Sequence, residues 1–178
     1  SGASDAGRVT LYRNINGVWT TLGGSIEGDV GSRSGYAVAL SADGNTLAIG
    51  ATLADGVATD SGLVRVYSWT GSEWQQLGND ISGDAAADYS GWSVSLSDDG
   101  LSVAMGAPFS DAAGLNAGVV KVFTLIEGVW TAKGTPLTNN VAGSRFGHDL
   151  VLSADGQRIV VGAPTDGSAA AGAGSVHT

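Results

Sequence analysis

The chain has 178 residues, 43% hydrophobic and only 14% charged, with 29 glycines and no cysteine, so disulfides and thiolate metal sites are excluded. Its 17 acidic against 8 basic residues give a formal charge of −9, which repels phosphate backbones and anionic lipid and argues against nucleic-acid partners. No apolar run approaches the roughly 20 residues of a membrane span and no basic-then-apolar leader opens the chain, so membrane insertion is not expected and the sequence reads as a mature or excised soluble segment.

From the N-terminus, Arg8-Val9-Thr10-Leu11-Tyr12 alternates polar and apolar residues with the period of two of a strand. Asn16-Gly17 marks a turn, and a second strand is centred on Val18-Trp19-Thr20. A full unit follows. It opens with Tyr36-Ala37-Val38-Ala39-Leu40, turns at Ala42-Asp43-Gly44, and continues through the apolar Leu47-Ala48-Ile49-Gly50, a run that predicts burial on both faces. After a Gly/Ala/Asp-rich loop come Leu63-Val64-Arg65-Val66-Tyr67, the turn Thr70-Gly71 and Glu73-Trp74-Gln75.

The second unit repeats the order with Trp92-Ser93-Val94-Ser95-Leu96, Asp98-Asp99-Gly100, Val103-Ala104-Met105-Gly106, Val119-Val120-Lys121-Val122-Phe123, Glu127-Gly128 and Val129-Trp130-Thr131. A third carries Ala154-Asp155-Gly156, Ile159-Val160-Val161-Gly162 and the stub Gly174-Ser175-Val176-His177-Thr178. No window shows the i, i+3, i+4, i+7 pattern of a helix.

Gly35, Gly91 and Gly147 stand 56 residues apart, as do Gly44, Gly100 and Gly156, and Gly50, Gly106 and Gly162. Gly7, Gly62, Gly118 and Gly174, and Trp19, Trp74 and Trp130, follow the same period with one step of 55. Such periodicity predicts an all-β array of tandem four-stranded antiparallel repeats, the blades of a β-propeller. A β-solenoid is the structural rival, but its coils repeat at shorter periods with fewer hairpin signals. The expected division of the single array 1–178 is a half-blade at 1–33, blades at 34–89 and 90–145, and a partial blade at 146–178. That makes about three blades and an incomplete ring. Open sheet edges then imply either self-assembly into a ring or filament, or membership of a longer repeat protein.

Phe146-Gly147, Gly162-Ala163-Pro164, Gly106-Ala107-Pro108 and the variant Gly50-Ala51-Thr52, together with Ser153-Ala154-Asp155-Gly156, resemble the FG-GAP repeats of integrin-type β-propellers, particularly their bacterial extracellular versions. The resemblance covers nearly the whole chain. It departs at Ser34 and Ser90, which stand where the family has Phe, with Tyr36 and Trp92 on the other side of the glycine. Calcium-binding members carry a dense aspartate loop between the FG and GAP strands. Here that place holds only Asp-Gly turns, too few oxygens for the six to eight that calcium takes.

No catalytic, cofactor-binding or metal residue is assigned. His148 and His177 lie in separate repeats without a repeated carboxylate or serine partner, and read as surface or packing residues. Asp29 and Asp84, matched by Asn140, read as turn residues bonding their own backbone rather than as ligands or catalytic carboxylates. Asp55, Asp111 and Asp166 mark loops where a weak cation site is conceivable. Trp19, Trp74 and Trp130 read as blade packing rather than a sugar platform; Trp69 and Trp92 do not recur as Trp, although Tyr36 matches Trp92. The Gly-rich tail Gly167 to Gly174 lacks the Lys-Ser/Thr and helix of a phosphate loop.

The resemblance implies a non-catalytic extracellular or cell-surface module for adhesion, protein–protein interaction or structural assembly. No enzyme activity and no cofactor are expected, and a protein or glycan would be the partner. The alternative is a lectin-like carbohydrate-binding propeller assembled from short subunits.

Overall fold

The computed structural model describes residues 5–170 and 173–178. The half-blade expectation at 1–33 and the Gly-rich tail therefore fall in part outside the described residues. In chain order the strands are β1 (Arg8–Val9), β2 (Tyr12–Ile15), β3 (Val18–Thr21), β4 (Ile26–Glu27), β5 (Ser34–Leu40), β6 (Thr46–Ala51), β7 (Leu63–Trp69) and β8 (Trp74–Gln76). They continue with β9 (Ile81–Ser82), β10 (Ser93–Leu96), β11 (Ser102–Ala107), β12 (Val119–Ile126), β13 (Val129–Ala132), β14 (Asp149–Leu152), β15 (Ile159–Ala163) and β16 (Ser175–His177).

Every ladder between these strands is antiparallel. Two complete meanders, β5-β6-β7-β8 with β9 added to β7, and β10-β11-β12-β13, stand between the N-terminal pairs β1-β4 and β2-β3 and the three-stranded β14-β15-β16. The chain is thus all-β and propeller-like, with open sheets at both ends. Among the described residues no helix is long and apolar enough to cross a membrane.

Each meander is shaped locally by one turn. The hydroxyls of Ser41, Ser97 and Ser153 donate to Oδ1 of Asp43, Asp99 and Asp155 at 2.7, 2.6 and 2.6 Å. The same carboxylates accept the backbone N–H of Asn45, Leu101 and Gln157. Gly44, Gly100 and Gly156 then take φ of 73, 69 and 64°, the left-handed conformation that favours glycine.

The serine hydroxyl first, and the backbone N–H second, hold all three carboxyls below their ordinary pKa. A carboxyl depressed in the folded state stabilises the fold above its unfolded pKa, and that contribution is lost as pH falls through the folded value. Ser41→Ala, Ser97→Ala and Ser153→Ala together are therefore expected to lower the melting temperature at neutral pH and to flatten its decline on acidification, read by thermal melts from neutral to about pH 2.5.

The sheets face one another, and the core lies between them. Ala48, Val64, Val66 and Ile81 of the first meander pack on Leu96, Val103, Met105 and Trp130 of the second. Ala104 and Val120 then pack on Phe146, Leu150, Leu152, Val161 and Ala163, while Val9 packs on Leu47 and Ile49. The second strand of each complete meander is its apolar centre, buried throughout β11 and over Leu47–Ala51 of β6.

The repeated tryptophans divide by position. Trp130 is 4% exposed and its Nε1 donates to the Leu77 carbonyl of the preceding sheet at 2.8 Å. Trp74 does the same to Leu22 at 3.0 Å. Trp19, with no described sheet in front of it, is 68% exposed. The packing reading thus holds for two of the three, and Trp19 departs from it because burial here is supplied by the neighbouring sheet.

Candidate functional site

Ion pairs occupy one side of the blade loops. Arg65, on β7, bonds Asp29 at 2.8 Å and Asp80 at 3.0 Å, and Lys121, one period later on β12, pairs with Asp84. Asp29 and Asp84 are therefore counterions of the cations on β7 and β12, not turn residues bonded to their own backbone; Asn140 instead accepts from Thr138. The signal in the sequence was the 56-residue spacing of Arg65, Lys121 and His177. The recess of about 500 Å³ around Arg65 has its cation already neutralised by two carboxylates.

The loop aspartates act as clasps. Asp55 accepts the N–H of Asp60 at 2.9 Å and Asp111 that of Asn116 at 2.7 Å. Asp166, 2% exposed, accepts from Ser175 Oγ at 2.5 Å, Ser168 N at 2.8 Å and Asn139 Nδ2 at 3.3 Å. These bonds, Ser175 first, hold its carboxyl far below the usual range.

His177 Nε2 lies 2.7 Å from Ser175 Oγ and 3.7 Å from Asp166, so the histidine does have serine and carboxylate neighbours that the sequence reading did not foresee. The geometry is not that of a nucleophilic triad. Serine and aspartate share one ring nitrogen, and Ser175 gives its proton directly to Asp166, whereas a triad places acid and serine on opposite nitrogens. Among the described residues no group of three His, Asp or Glu side chains is disposed to hold a metal ion.

The clasps position something else. Asp60 and Asn116 take positive φ, and their carbonyls accept the N–H of Tyr89 at 3.3 Å and of Arg145 at 3.2 Å. Tyr89 and Arg145, with Arg33 one period earlier, also have positive φ of 53, 56 and 53°. For bulky residues that conformation is strained, by about 1–3 kcal/mol each, and such strain concentrates at functional sites.

All three flank one mouth. Tyr36, Trp92 and His148, equivalent in the repeat, form a column with ring centroids 4.7 and 5.6 Å apart. Phe109 meets Trp92 at 5.1 Å and Tyr89 at 5.5 Å edge to face, and Arg145 lies over its ring at 5.2 Å. Between them opens a recess of about 370 Å³, walled by Tyr89, Trp92 and Phe109 and carrying Arg33 and Asp60 as its charged groups. His148, read as a packing residue, stacks at the end of this column. Sequence reading assigned no role to Arg33, Tyr89, Phe109 or Arg145, although the spacing of 33, 89 and 145 was visible.

No family model and no curated protein matches the chain. Solved structures similar to it include two assigned by name as 6-phosphogluconolactonases. That from Bacteroides uniformis has a TM-score of 0.58 at 16% identity, over 96% of this chain and 47% of the other. That from Bacteroides fragilis has a TM-score of 0.56 at 16% identity, over 90% and 43%. A periplasmic gluconolactonase of Pseudomonas aeruginosa aligns with a TM-score of 0.51 at 17% identity, over 92% and 44%. The chain spans less than half the length of each, and at these identities the likeness shows the fold alone.

These findings overturn the FG-GAP resemblance: no family model supports it, and the three solved structures above carry lactonase names, not those of integrin-type repeats. The physical reason lies in the glycines. A Cβ on Gly50 or Gly106 would stand 2.1 Å from the carbonyl oxygen of Gly91 or Gly147 in the next sheet, so blade-on-blade contact alone requires these glycines, whatever the family. With the resemblance fall the readings built on it: the non-catalytic adhesion, interaction or structural module, its lectin-like alternative, and the expectation of no enzyme activity. The similar structures are named as enzymes.

Proposed function

We propose that the chain forms a large part of a propeller that hydrolyses the cyclic ester of a sugar acid, with the Tyr89–Trp92–Phe109 recess as the wall for the sugar ring. The observation that carries this reading is the strained placement of Arg33 and Tyr89 in the wall of that recess and of Arg145 over the Phe109 ring. Aromatic faces stack on the apolar face of a sugar ring, and the Arg33 guanidinium is suited to the negative charge that develops on the lactone carbonyl oxygen. The names of the similar structures, two 6-phosphogluconolactonases and a gluconolactonase, supply the substrate class.

Opening a lactone requires a base to take a proton from the attacking water and a donor for the oxyanion that develops on the carbonyl oxygen. In this reading Asp60 is the base and Arg33 the donor. Water adds to the carbonyl carbon as Asp60 takes its proton, the ring C–O bond breaks with that proton passed to the departing ring oxygen, and the carboxylic acid formed ionises, so that a hydroxy carboxylate and one proton are released.

The same reading places the chain outside the cytoplasm, supported by the periplasmic neighbour, and retains the division into 1–33, 34–89, 90–145 and 146–178 as blade units.

Proton release from glucono-δ-lactone and from 6-phosphogluconolactone tests the reading. The chain is expected to exceed the uncatalysed rate, and Trp92→Ala and Arg33→Ala are each expected to lower kcat/KM by about tenfold or more. Tyr89→Gly relieves strain, so it should raise the melting temperature while lowering activity. No rate above buffer, or variants as active as the parent, would overturn it.

A further inference from the structure

The aromatic recess has a neighbour on each side. It shares Leu53 and Asp60 with the recess of about 500 Å³ around Arg65, and Phe109 with a third recess of about 350 Å³ bounded by Asp84, Asp88 and Asp111. The two flanking recesses are related by the repeat, since Asp55 and Asp60 of one stand 56 residues before Asp111 and Asn116 of the other. All three are built from residues 29–116, within the array rather than at its ends.

Their charge is one-sided. The Arg65 recess presents Asp29, Asp55, Asp60 and Asp80 against a single guanidinium, which Asp29 and Asp80 already hold. The third recess has three carboxylates and no cation on its walls; Lys121 pairs with Asp84 from outside them. Asp88 is buried there, where its counterparts Ser32 and Ser144 donate their hydroxyls to the carbonyls of Ala6 and Ala117. Burial first, and then the charges of Asp84 and Asp111, push the Asp88 carboxyl above its ordinary pKa, as a negative surrounding does. Arg145 lies over the Phe109 ring and lines none of the three recesses. Arg33, the remaining guanidinium, is taken by the oxyanion in the proposed hydrolysis, so no cation is left for a phosphate.

What the Arg65 recess offers instead is acceptors and hydroxyls. Arg65 holds Asp29 through Oδ2 at 2.8 Å, and the Asp60 N–H holds Asp55 through Oδ1 at 2.9 Å, so each carboxylate is fixed and keeps its second oxygen to accept from a ligand. At the Gly56 edge a Cβ would stand 3.0 Å from Ser82 Oγ and 3.1 Å from Ser61 Oγ. The Ser61 hydroxyl is fully buried and has no hydrogen-bond partner. Fixed carboxylates accept strongly from neutral hydroxyls and repel a phosphate dianion. We propose that the substrate of this site is an uncharged polyhydroxy lactone, held by its hydroxyls in the Arg65 recess with its ring on the aromatic wall, and that a phosphorylated lactone is rejected. The inference rests on the lactonase reading for the reaction and takes the choice of substrate from the charge of the groove.

Competition between glucono-δ-lactone and 6-phosphogluconolactone tests it. At low salt kcat/KM for the uncharged lactone is expected to exceed that for the phosphorylated one by about tenfold or more. Raising the ionic strength from about 0.01 to 0.3 M should narrow the gap through the phosphorylated substrate alone, because salt screens the repulsion. Asp29→Asn combined with Asp80→Asn frees Arg65 and should raise the relative kcat/KM for the phosphorylated lactone by about tenfold; the salt dependence is read on the unaltered chain and needs no variant to fold. Equal or faster hydrolysis of the phosphorylated lactone at low salt would overturn the inference and leave the lactonase reading standing. If neither lactone is hydrolysed, the lactonase reading falls, and titration of tryptophan fluorescence with methyl β-glucoside and glucose 6-phosphate decides the rest. Tighter binding of the uncharged sugar sustains the preference, whereas equal or tighter binding of the phosphate, or binding of neither, overturns it.

Discussion

Gly106→Ala is expected to destabilise the chain by about 3 kcal/mol or more, and Gly162→Ala by less than about 0.5 kcal/mol. Both glycines end strand two one period apart, and neither has a positive φ, so alanine is compatible with the local backbone at both. The difference lies across the joint. At Gly106 the new methyl would stand 2.1 Å from the Gly147 carbonyl oxygen and 2.3 Å from Ser93 Oγ. The serine could turn, although its bond to that same carbonyl would be lost; the carbonyl is backbone and can retreat only if the whole sheet moves. At Gly162 the nearest atom is at an ordinary contact distance of 3.6 Å. Gly50→Ala should behave like Gly106→Ala, because the Gly91 carbonyl is equally close. Urea midpoints for the three variants check this, and a Gly106→Ala protein as stable as Gly162→Ala would show that the joint yields.

Trp130→Ala is expected to cost about 3–5 kcal/mol, the range for a large aromatic removed from a core. Beyond the lost packing against Leu96, Met105 and Val66 in the same core, the Leu77 carbonyl would lose its indole donor. Trp19→Ala should change stability by less than about 0.5 kcal/mol, since the side chain is 68% exposed. Trp74, half-buried and bonded to Leu22, should fall between them. Denaturant unfolding gives the ranking, and equal losses at Trp19 and Trp130 would contradict it. Such a gradient along identical repeat positions is the expected signature of a stack in which each blade is stabilised by the one before it.

Strands and turns were legible because their signals are local. Tyr36 to Leu40 alternates with the pleat, Leu47 to Gly50 is apolar on both sides, and Ser41-Ala42-Asp43-Gly44 contains within four residues the hydroxyl, carboxylate and left-handed glycine that close its turn. The candidate site was not legible, since nothing local marks Tyr89 or Arg145 as left-handed; the intrinsic preference of both is against it. Their conformation is imposed through Asp55 and Asp111 by way of the carbonyls of Asp60 and Asn116, contacts that bring together residues about 30 positions apart. Asp29 was likewise misread as a turn residue because its partner Arg65 is on a strand 36 residues further on.

The 56-residue unit, its antiparallel hairpins and its recurring glycines can be read along the chain, since turn chemistry and side-chain period are properties of each residue and its near neighbours. Which copy of an equivalent residue is buried, which glycines meet a neighbouring sheet and which side chains converge on the mouth depend instead on contacts between sheets. Trp19 and Trp130 occupy the same position in their units yet are 68% and 4% exposed, as Val176 and Val120 are 71% and 0% exposed. Burial between blades belongs to the pair of sheets that meet, so identical residues diverge wherever one repeat has a neighbour and another has none.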